Sequence, residues 1–266
     1  MNNDFLTRYG PWALVTGASS GIGEQFTRLL AESGFNVLIT ARREHRLQIL
    51  SRQLQQDYPV TIEALALDLC SDTFLSTLLT AAEGKHIGLI ISNAGFGLKG
   101  LHHLSDPVAM TNMLSVNARA PMLIAHAFTP RLITRGGGGF IITGSMEGFM
   151  GFPYSASYAA TKAFVHSLGD ALWQELRPHN IDVLVLAPGS TNTEALSLQG
   201  IDAEQMTGLM SPRSVASQAL NKLGKKRVLI TGWLNILFVR LLQLIPRRWS
   251  LAATEAGMRS AIGKKQ

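Results

Sequence analysis

Seven short apolar runs alternate with stretches of helical spacing along this chain, and that alternation restricts its fold more than any other feature. The runs are "WALVT" (Trp12 to Thr16), "NVLIT" (Asn36 to Thr40), "TIEALAL" (Thr61 to Leu67), "IGLIIS" (Ile87 to Ser92), "GFIIT" (Gly139 to Thr143), "IDVLVLA" (Ile181 to Ala187) and "RVLIT" (Arg227 to Thr231). Most are almost continuously apolar, as strands are when crossover helices cover both faces of a parallel sheet. Between them Phe26, Leu29 and Leu30, or Leu47, Leu50 and Leu54, share one helical face. Repeated β-α order predicts an α/β, doubly wound Rossmann fold of about seven parallel strands with helices on both faces.

No Pro-rich, Ser-rich or charge-block linker divides the 266 residues, so a single domain over residues 1–266 is expected. Residues 1–10 read as an N-terminal arm, 11–231 as the catalytic core and 232–266 as an apolar C-terminal helical extension. A hydrophobic share of 46% against 16% charged residues excludes a disordered chain. Cys70 is the only cysteine, which excludes an intrachain disulfide and a cysteine-rich zinc site. It reads as a buried, inert thiol, and a cytoplasmic location fits. The start of the chain shows neither a signal peptide nor an apolar anchor. Gly136 to Gly139 read as a flexible turn into the fifth strand, because no helix start follows them.

After the first strand comes "TGASSGIG", Thr16 to Gly23, and a helical pattern follows at once. Glycines at 17, 21 and 23 permit a tight strand-to-helix turn that turns backbone N–H groups and the positive helix end toward a pyrophosphate. A glycine triplet alone is weak; its position between first strand and first helix gives it force. This spacing, Gly-x-x-x-Gly-x-Gly preceded by Thr, resembles that of short-chain dehydrogenases/reductases, and the similarity runs over nearly the whole chain. It implies that Gly17, Ser19, Ser20, Gly21, Ile22 and Gly23 cradle a dinucleotide.

Past the second strand a carboxylate would accept from a ribose hydroxyl and repel a 2′-phosphate. The chain instead reads Thr40-Ala41-Arg42-Arg43, and a guanidinium can pair with a phosphate in bidentate fashion. NADP(H) is therefore the expected cofactor, and similarity to NADP-preferring members of the family implies Arg42 as the phosphate ligand with Arg43 as neighbour or helper. The resemblance also implies cofactor contacts from Asp68 and Leu69 after the third strand and from Asn93-Ala94-Gly95 after the fourth. Past the sixth strand, Pro188, Gly189, Thr191 and Thr193 resemble the family's Pro-Gly-x-x-x-Thr element at the nicotinamide.

"YAATK" sets Tyr158 and Lys162 four residues apart, on one helical face. A phenol is a poor base at neutral pH unless a nearby cation stabilises its phenolate, which gives this pair chemical meaning. Ser145 closes the fifth strand thirteen residues before Tyr158, the family's interval, where its hydroxyl can donate to a substrate oxygen as negative charge develops. By similarity, Asn117 holds a water that relays protons to the lysine. Tyr154 borders the pocket or packs. His102 and His103 read as exposed loop, with Asp106 as the sole acid nearby; no metal is expected.

The implied reaction is hydride exchange with a carbonyl or secondary alcohol. Glu194 to Met210 and "MEGFMGFPY" (Met146 to Tyr154) should face the substrate, and Met146, Phe149, Met150, Phe152, Met206, Leu209 and Met210 favour a lipophilic ketone, steroid-like or 3-oxoacyl. The net charge of +6 is spread along the chain with clusters at Lys225 to Arg227, Arg247 and Arg248, and Lys264 and Lys265. A solvated surface is the first reading and an anionic membrane surface the second; nucleic acid is not expected. Trp233 to Ile245 is too short to span a bilayer and reads as a cover over the substrate mouth, a subunit interface, or a helix lying on a membrane. A homodimer or homotetramer is expected. The competing function is an NADP-binding regulatory or membrane-associated protein without chemistry.

Overall fold

Alternation along each strand decides which layer of helices a side chain meets. The computed structural model describes residues 3–194 and 209–262. Its strands are β1 (Trp12–Thr16), β2 (Asn36–Ala41), β3 (Ile62–Ala66), β4 (Ile87–Ser92), β5 (Gly138–Thr143), β6 (Ile181–Ala187) and β7 (Val228–Ile230). Its helices are α1 (Asn3–Tyr9), α2 (Gly21–Glu32), α3 (Glu44–Asp57), α4 (Phe74–Ala81), α5 (Pro107–Leu114), α6 (Ala120–Arg135), α7 (Ala156–Glu175), α8 (Pro212–Lys222), α9 (Trp233–Leu244) and α10 (Arg247–Ile262).

All seven strands run parallel in the order β3-β2-β1-β4-β5-β6-β7. The chain grows outward from β1 to β3, then returns to the other side of β1, so β1 and β4 flank the point where the winding reverses. Ligands of doubly wound sheets bind outside the carboxyl ends of the strands at that point. Ala13, Val15, Val37, Ile39, Leu89 and Ile91 face one layer and pack with Phe26, Leu47 and Val215 of α2, α3 and α8. Leu14, Leu38, Ile90, Phe140 and Ile142 face the other and pack with Phe74, Phe128 and Val165 of α4, α6 and α7. Each large apolar side chain so buried contributes about 1.5–3 kcal/mol, and the two-sided burial explains the unbroken apolar runs.

Three details differ from the sequence reading. The N-terminal arm is folded from residue 3: Tyr9 of α1 is buried and its hydroxyl donates to Asp182 at 2.7 Å, where Arg8 Nε also donates at 2.9 Å. Gly136, in left-handed conformation at the end of α6, and Gly137, also at positive φ, do the turning, whereas Gly138 and Gly139 already belong to β5. A Cβ at Gly139 would stand 2.9 Å from Leu223 and 3.1 Å from the Tyr9 ring, so that glycine makes room for α1 rather than bending the chain. Cys70 is half-buried, its thiol pushed up by burial and then by Asp68.

The C-terminal extension is two helices, parted at Pro246, with Ile245 extended as a residue before proline prefers. Leu242 of α9 packs with Met150, Phe152 and Ala159, so the extension leans on the predicted substrate wall. Trp233, Leu237, Leu241 and Leu244 point outward. No described helix is long and apolar enough to cross a membrane.

Candidate active site

At Gly17 and Gly23 the turn closes by backbone contacts that leave no space for a side chain. Gly17 N–H donates to Thr40 O at 2.8 Å, and both Gly17 (φ 70°) and Gly21 (φ 59°) adopt left-handed conformation. A Cβ on Gly23 would lie 2.2 Å from Gly17 O, so the first turn of α2 sits directly against the strand end. Ile22 packs on the first core layer. Ser20 precedes α2 but caps it with no side-chain bond; its hydroxyl, with that of Ser19, accepts from Arg43 at 2.7 and 3.0 Å. Arg43, the expected helper, therefore holds the turn, and it also donates to Glu194 at 2.7 Å. Arg42 stands toward the adjoining edge, where its charge acts on the Cys70 thiol. Arg46 pairs with Glu194 as well.

The next strand ends are tied to this turn. The buried Thr16 hydroxyl accepts from Asn93 N–H and Ala94 N–H, both at 3.0 Å, and Asn93 Nδ2 donates to Thr16 O at 3.2 Å. Asp68 accepts from Cys70 N–H at 2.9 Å beside buried Leu69. Gly95 is confined: a Cβ there would meet Asn117 Oδ1 at 3.0 Å and Lys162 Nζ at 3.2 Å. Past β6, Pro188 O accepts from Met146 N–H at 3.2 Å, which sets the sixth-strand turn beside Ser145. Thr191 Oγ1 donates to Gly189 O at 3.0 Å, and the Thr193 methyl stands 3.0 Å from where a Gly21 Cβ would be. Gly189 is roofed by Asn235 of α9, whose side chain would lie 2.0 Å from a Cβ there.

Tyr158 and Lys162 lie on α7 beneath the end of β5. Lys162, 3% exposed, donates to Thr143 O at 2.8 Å, and its ammonium stands 5.7 Å from the centre of the Tyr158 ring. Burial pulls it down to about 8, while the Glu147 carboxylate opposes the fall. The Tyr158 phenol is held above its ordinary range by burial first and by Glu147 second; a hydrogen bond with Ser145 pulls it down. Sequence reasoning gave Lys162 the task of setting the phenol's acidity. In the chain's own geometry its ammonium donates to the strand-end carbonyl while its charge stays near the Tyr158 ring, and Glu147 and Ser145 act on the phenol as well. Asn117 lies in a π-helical turn, Ser115–Arg119, a distortion frequent at functional sites. Its amide accepts from Phe96 N–H at 3.1 Å and donates to Phe96 O at 2.8 Å and Thr161 Oγ1 at 3.2 Å, clamping the loop after Gly95 to α7.

Sequence reasoning missed Lys99, Glu147, Ser155 and His166. Lys99 Nζ donates to both Glu147 oxygens at 2.6 and 2.8 Å and to Ser155 Oγ at 2.8 Å. A carboxylate inside the otherwise apolar "MEGFMGFPY" was the available signal. His166 continues the i, i+4 series from Tyr158 and Lys162; burial drives it down to about 4, so it is neutral. Its Nε2 would be 2.5 Å from a Cβ at Gly144, which explains the glycine at that position.

Of the expected substrate wall, Met146 and Phe149 form a 3₁₀ turn after Ser145, with Phe149 edge-on to His166 at 4.4 Å. Met150 and Phe152 are buried under α9, and Leu209 and Met210 return beside Thr191. Met206 lies outside the described residues. Tyr154 (φ 60°) accepts from Gly100 N–H through its carbonyl at 2.8 Å and from Arg259 Nε of α10 through its hydroxyl at 3.3 Å. His102 and His103 are exposed, Asp106 caps α5, and no group of three metal-ligating side chains occurs among the described residues.

Residues 11–202 match the family model for short chain dehydrogenase. The chain is 30% identical to a 7beta-hydroxysteroid dehydrogenase of Clostridium sardiniense, over 87% of this chain and 89% of that one. It is 28% identical to a very-long-chain 3-oxoacyl-CoA reductase of Phaeosphaeria nodorum over 83% of this chain, and spans 66% of that relative's length. Among solved structures, a short-chain dehydrogenase from Sphingobium yanoikuyae in complex with NADPH superposes with a TM-score of 0.79 at 30% identity, covering 97% of this chain and 98% of that one. The protein is therefore a Rossmann-fold oxidoreductase. It belongs to the short-chain dehydrogenase/reductase family, whose members act on carbonyl and alcohol groups with a nicotinamide cofactor.

Proposed function

We propose that the chain is an NADPH-dependent reductase of lipophilic ketones, steroid-like or 3-oxoacyl, working through Tyr158, Ser145 and Lys162. The observation that carries this reading is the convergence of those three side chains at the carboxyl end of β5, beside a turn whose Gly17 and Gly23 have backbone where a Cβ would stand. That cradle, with serines 19 and 20 and two arginines, suits a pyrophosphate and a 2′-phosphate. NADPH, when bound there, supplies the hydride. Ser145 donates to the substrate oxygen and steadies its developing charge. Tyr158 passes its hydroxyl proton to that oxygen, and the resulting phenolate is left facing the Lys162 ammonium. Arg42 and Arg43 hold the 2′-phosphate, and the backbone of Asn93, Ala94, Gly95, Pro188 and Gly189 with Asp68, Leu69, Thr191 and Thr193 lines the rest. Asn117 positions the Phe96 loop and a relay water.

A panel of ketones followed by NADPH absorbance tests the reading. Bulky apolar ketones are expected to be turned over, and Tyr158→Phe to lose about 10²–10⁴-fold in kcat without loss of folding. Absence of turnover across the panel favours a cofactor-binding protein without chemistry, and a Tyr158→Phe variant as fast as wild type removes Tyr158 as the proton donor. Residues 1–266 act as one domain in this reading, cytoplasmic and dimeric or tetrameric. The outward stripe of Trp233, Leu237, Leu241 and Leu244, with Arg240 on the same helix and Arg247 and Arg248 opening the next, favours a second property, contact with an anionic membrane surface. Flotation with anionic liposomes tests it; a sharp dimer in solution with no flotation assigns the stripe to subunit contact.

A further inference from the structure

Removing a lysine and a glutamate from water is costly, and a buried pair persists only where its geometry and further hydrogen bonds offset that cost. Lys99 and Glu147 meet those conditions: their side chains are 5% and 17% exposed, both carboxylate oxygens are used, and Ser155 Oγ donates to Glu147 at 2.5 Å while accepting from Lys99 at 2.8 Å. The three residues come from three segments, the loop after β4, the turn after Ser145 and the start of α7. They meet beside the proton donor, with the Lys99 ammonium 5.1 Å from the centre of the Tyr158 ring. Tyr158 is thus flanked by two ammonium groups, one of them answered by a carboxylate.

We propose that the Lys99–Glu147 pair, locked by Ser155, is a positioning device for the proton donor: it fixes the loop after β4 and the Ser145 turn around Tyr158 and balances the charge at its ring. The proposal rests on Tyr158 being that donor. The charges facing the phenol are Lys162 from its own helix, Lys99 from the loop above and Glu147 from the Ser145 turn; His166, behind that turn, is neutral. The carboxylate discourages the phenolate, in keeping with the upward push on Tyr158, whereas an ammonium 5.1 Å from the ring centre favours it by its charge. The two partners therefore act on the phenol with opposite sign.

Opposite signs give a test that a merely structural pair fails. Alcohol oxidation with NADP needs the phenolate, so its rate falls on the acid side of the Tyr158 titration. Glu147→Gln leaves Lys99 uncompensated and is expected to shift that acid limb down by about one pH unit; Lys99→Met leaves the carboxylate and shifts it up by a similar amount. Lys99→Met with Glu147→Gln in one chain returns the limb to within about 0.3 of wild type, and Lys99→Arg rescues Lys99→Met. Shifts of the same sign in both single variants, or shifts under about 0.3 in variants that melt as wild type, overturn the proposal. A readout independent of turnover uses the ring carbon shifts of labelled tyrosine against pH, with the Tyr158 signal assigned from Tyr158→Phe. If no alcohol or ketone is turned over, the functional reading fails, yet this titration still decides the ion pair: a Tyr158 signal moved down by Glu147→Gln supports it, and an unmoved signal removes it.

Discussion

The two sides of the site are built on different principles. On the cofactor side, β1, β4 and the start of α2 are fixed largely by close backbone contacts at Gly17 and Gly23, with a Thr16 hydroxyl holding two N–H groups at the end of β4 and Arg43 gripping the turn serines. On the substrate side, the Ser145–Tyr154 wall is fixed by side chains from far-off segments: Lys99 on Glu147, His166 under Gly144, Leu242 on Met150 and Phe152, Arg259 on Tyr154. A backbone-built cradle accepts one ligand shape and tolerates little change. A side-chain wall can be re-cut by substitution with the cradle left intact, which is how one fold can carry different substrates.

The comparison breaks first at Gly23. Gly23→Ala places a Cβ against Gly17 O, and we expect about 1–3 kcal/mol of destabilisation by denaturant titration together with loss of NADPH binding by calorimetry. Arg42→Asp should leave folding intact and lower the NADPH over NADH preference about 10- to 100-fold, the worth of one or two charge-assisted hydrogen bonds. An unchanged kcat/KM ratio transfers the 2′-phosphate to Arg43, which already grips Ser19 and Ser20.

A third test concerns pH. Lys162 titrates near 8 in the fold, below its ordinary 10.5, so the unfolded chain binds more protons between those values. Stability from this residue therefore rises with pH from about 8 upward, and below 8 the cost of the buried charge is fully present. Above pH ~10 the raised Tyr158 reverses the trend, because the unfolded phenol loses its proton first. Thermal melts of wild type against Lys162→Met should show wild type gaining on the variant between pH 8 and 10; a pH-independent difference contradicts the burial argument. The smallest effect belongs to the outer face of α9. Leu241→Ser should change unfolding free energy by no more than about 0.5 kcal/mol, since the side chain is exposed, while weakening liposome flotation if that face meets lipid.

Much of the first side was legible. The Gly17–Gly23 spacing, the Thr40-Ala41-Arg42-Arg43 end of β2 and the Tyr158–Lys162 interval are local, and their meaning survives in a linear string because backbone geometry and helix period are local properties. The seven strands were legible for a related reason: burial on both faces writes itself as an apolar run. Glu147 and Lys99 were not, since a lone carboxylate and a lone lysine 48 residues apart carry no mark of their partnership. Neither was the part Gly139 and Gly144 play, which depends on Tyr9 and His166 arriving from elsewhere in the chain.

The sequence by itself determined a doubly wound sheet, a dinucleotide turn at its winding switch and a Tyr-Lys pair on one helical face, because period, steric allowance and chemical type are fixed within a few residues. Tertiary structure alone decided what surrounds the phenol, that Arg43 holds the turn serines, and that α9 roofs Gly189. Those outcomes depend on which distant side chains meet in a low-dielectric space, and only the packed chain brings them together.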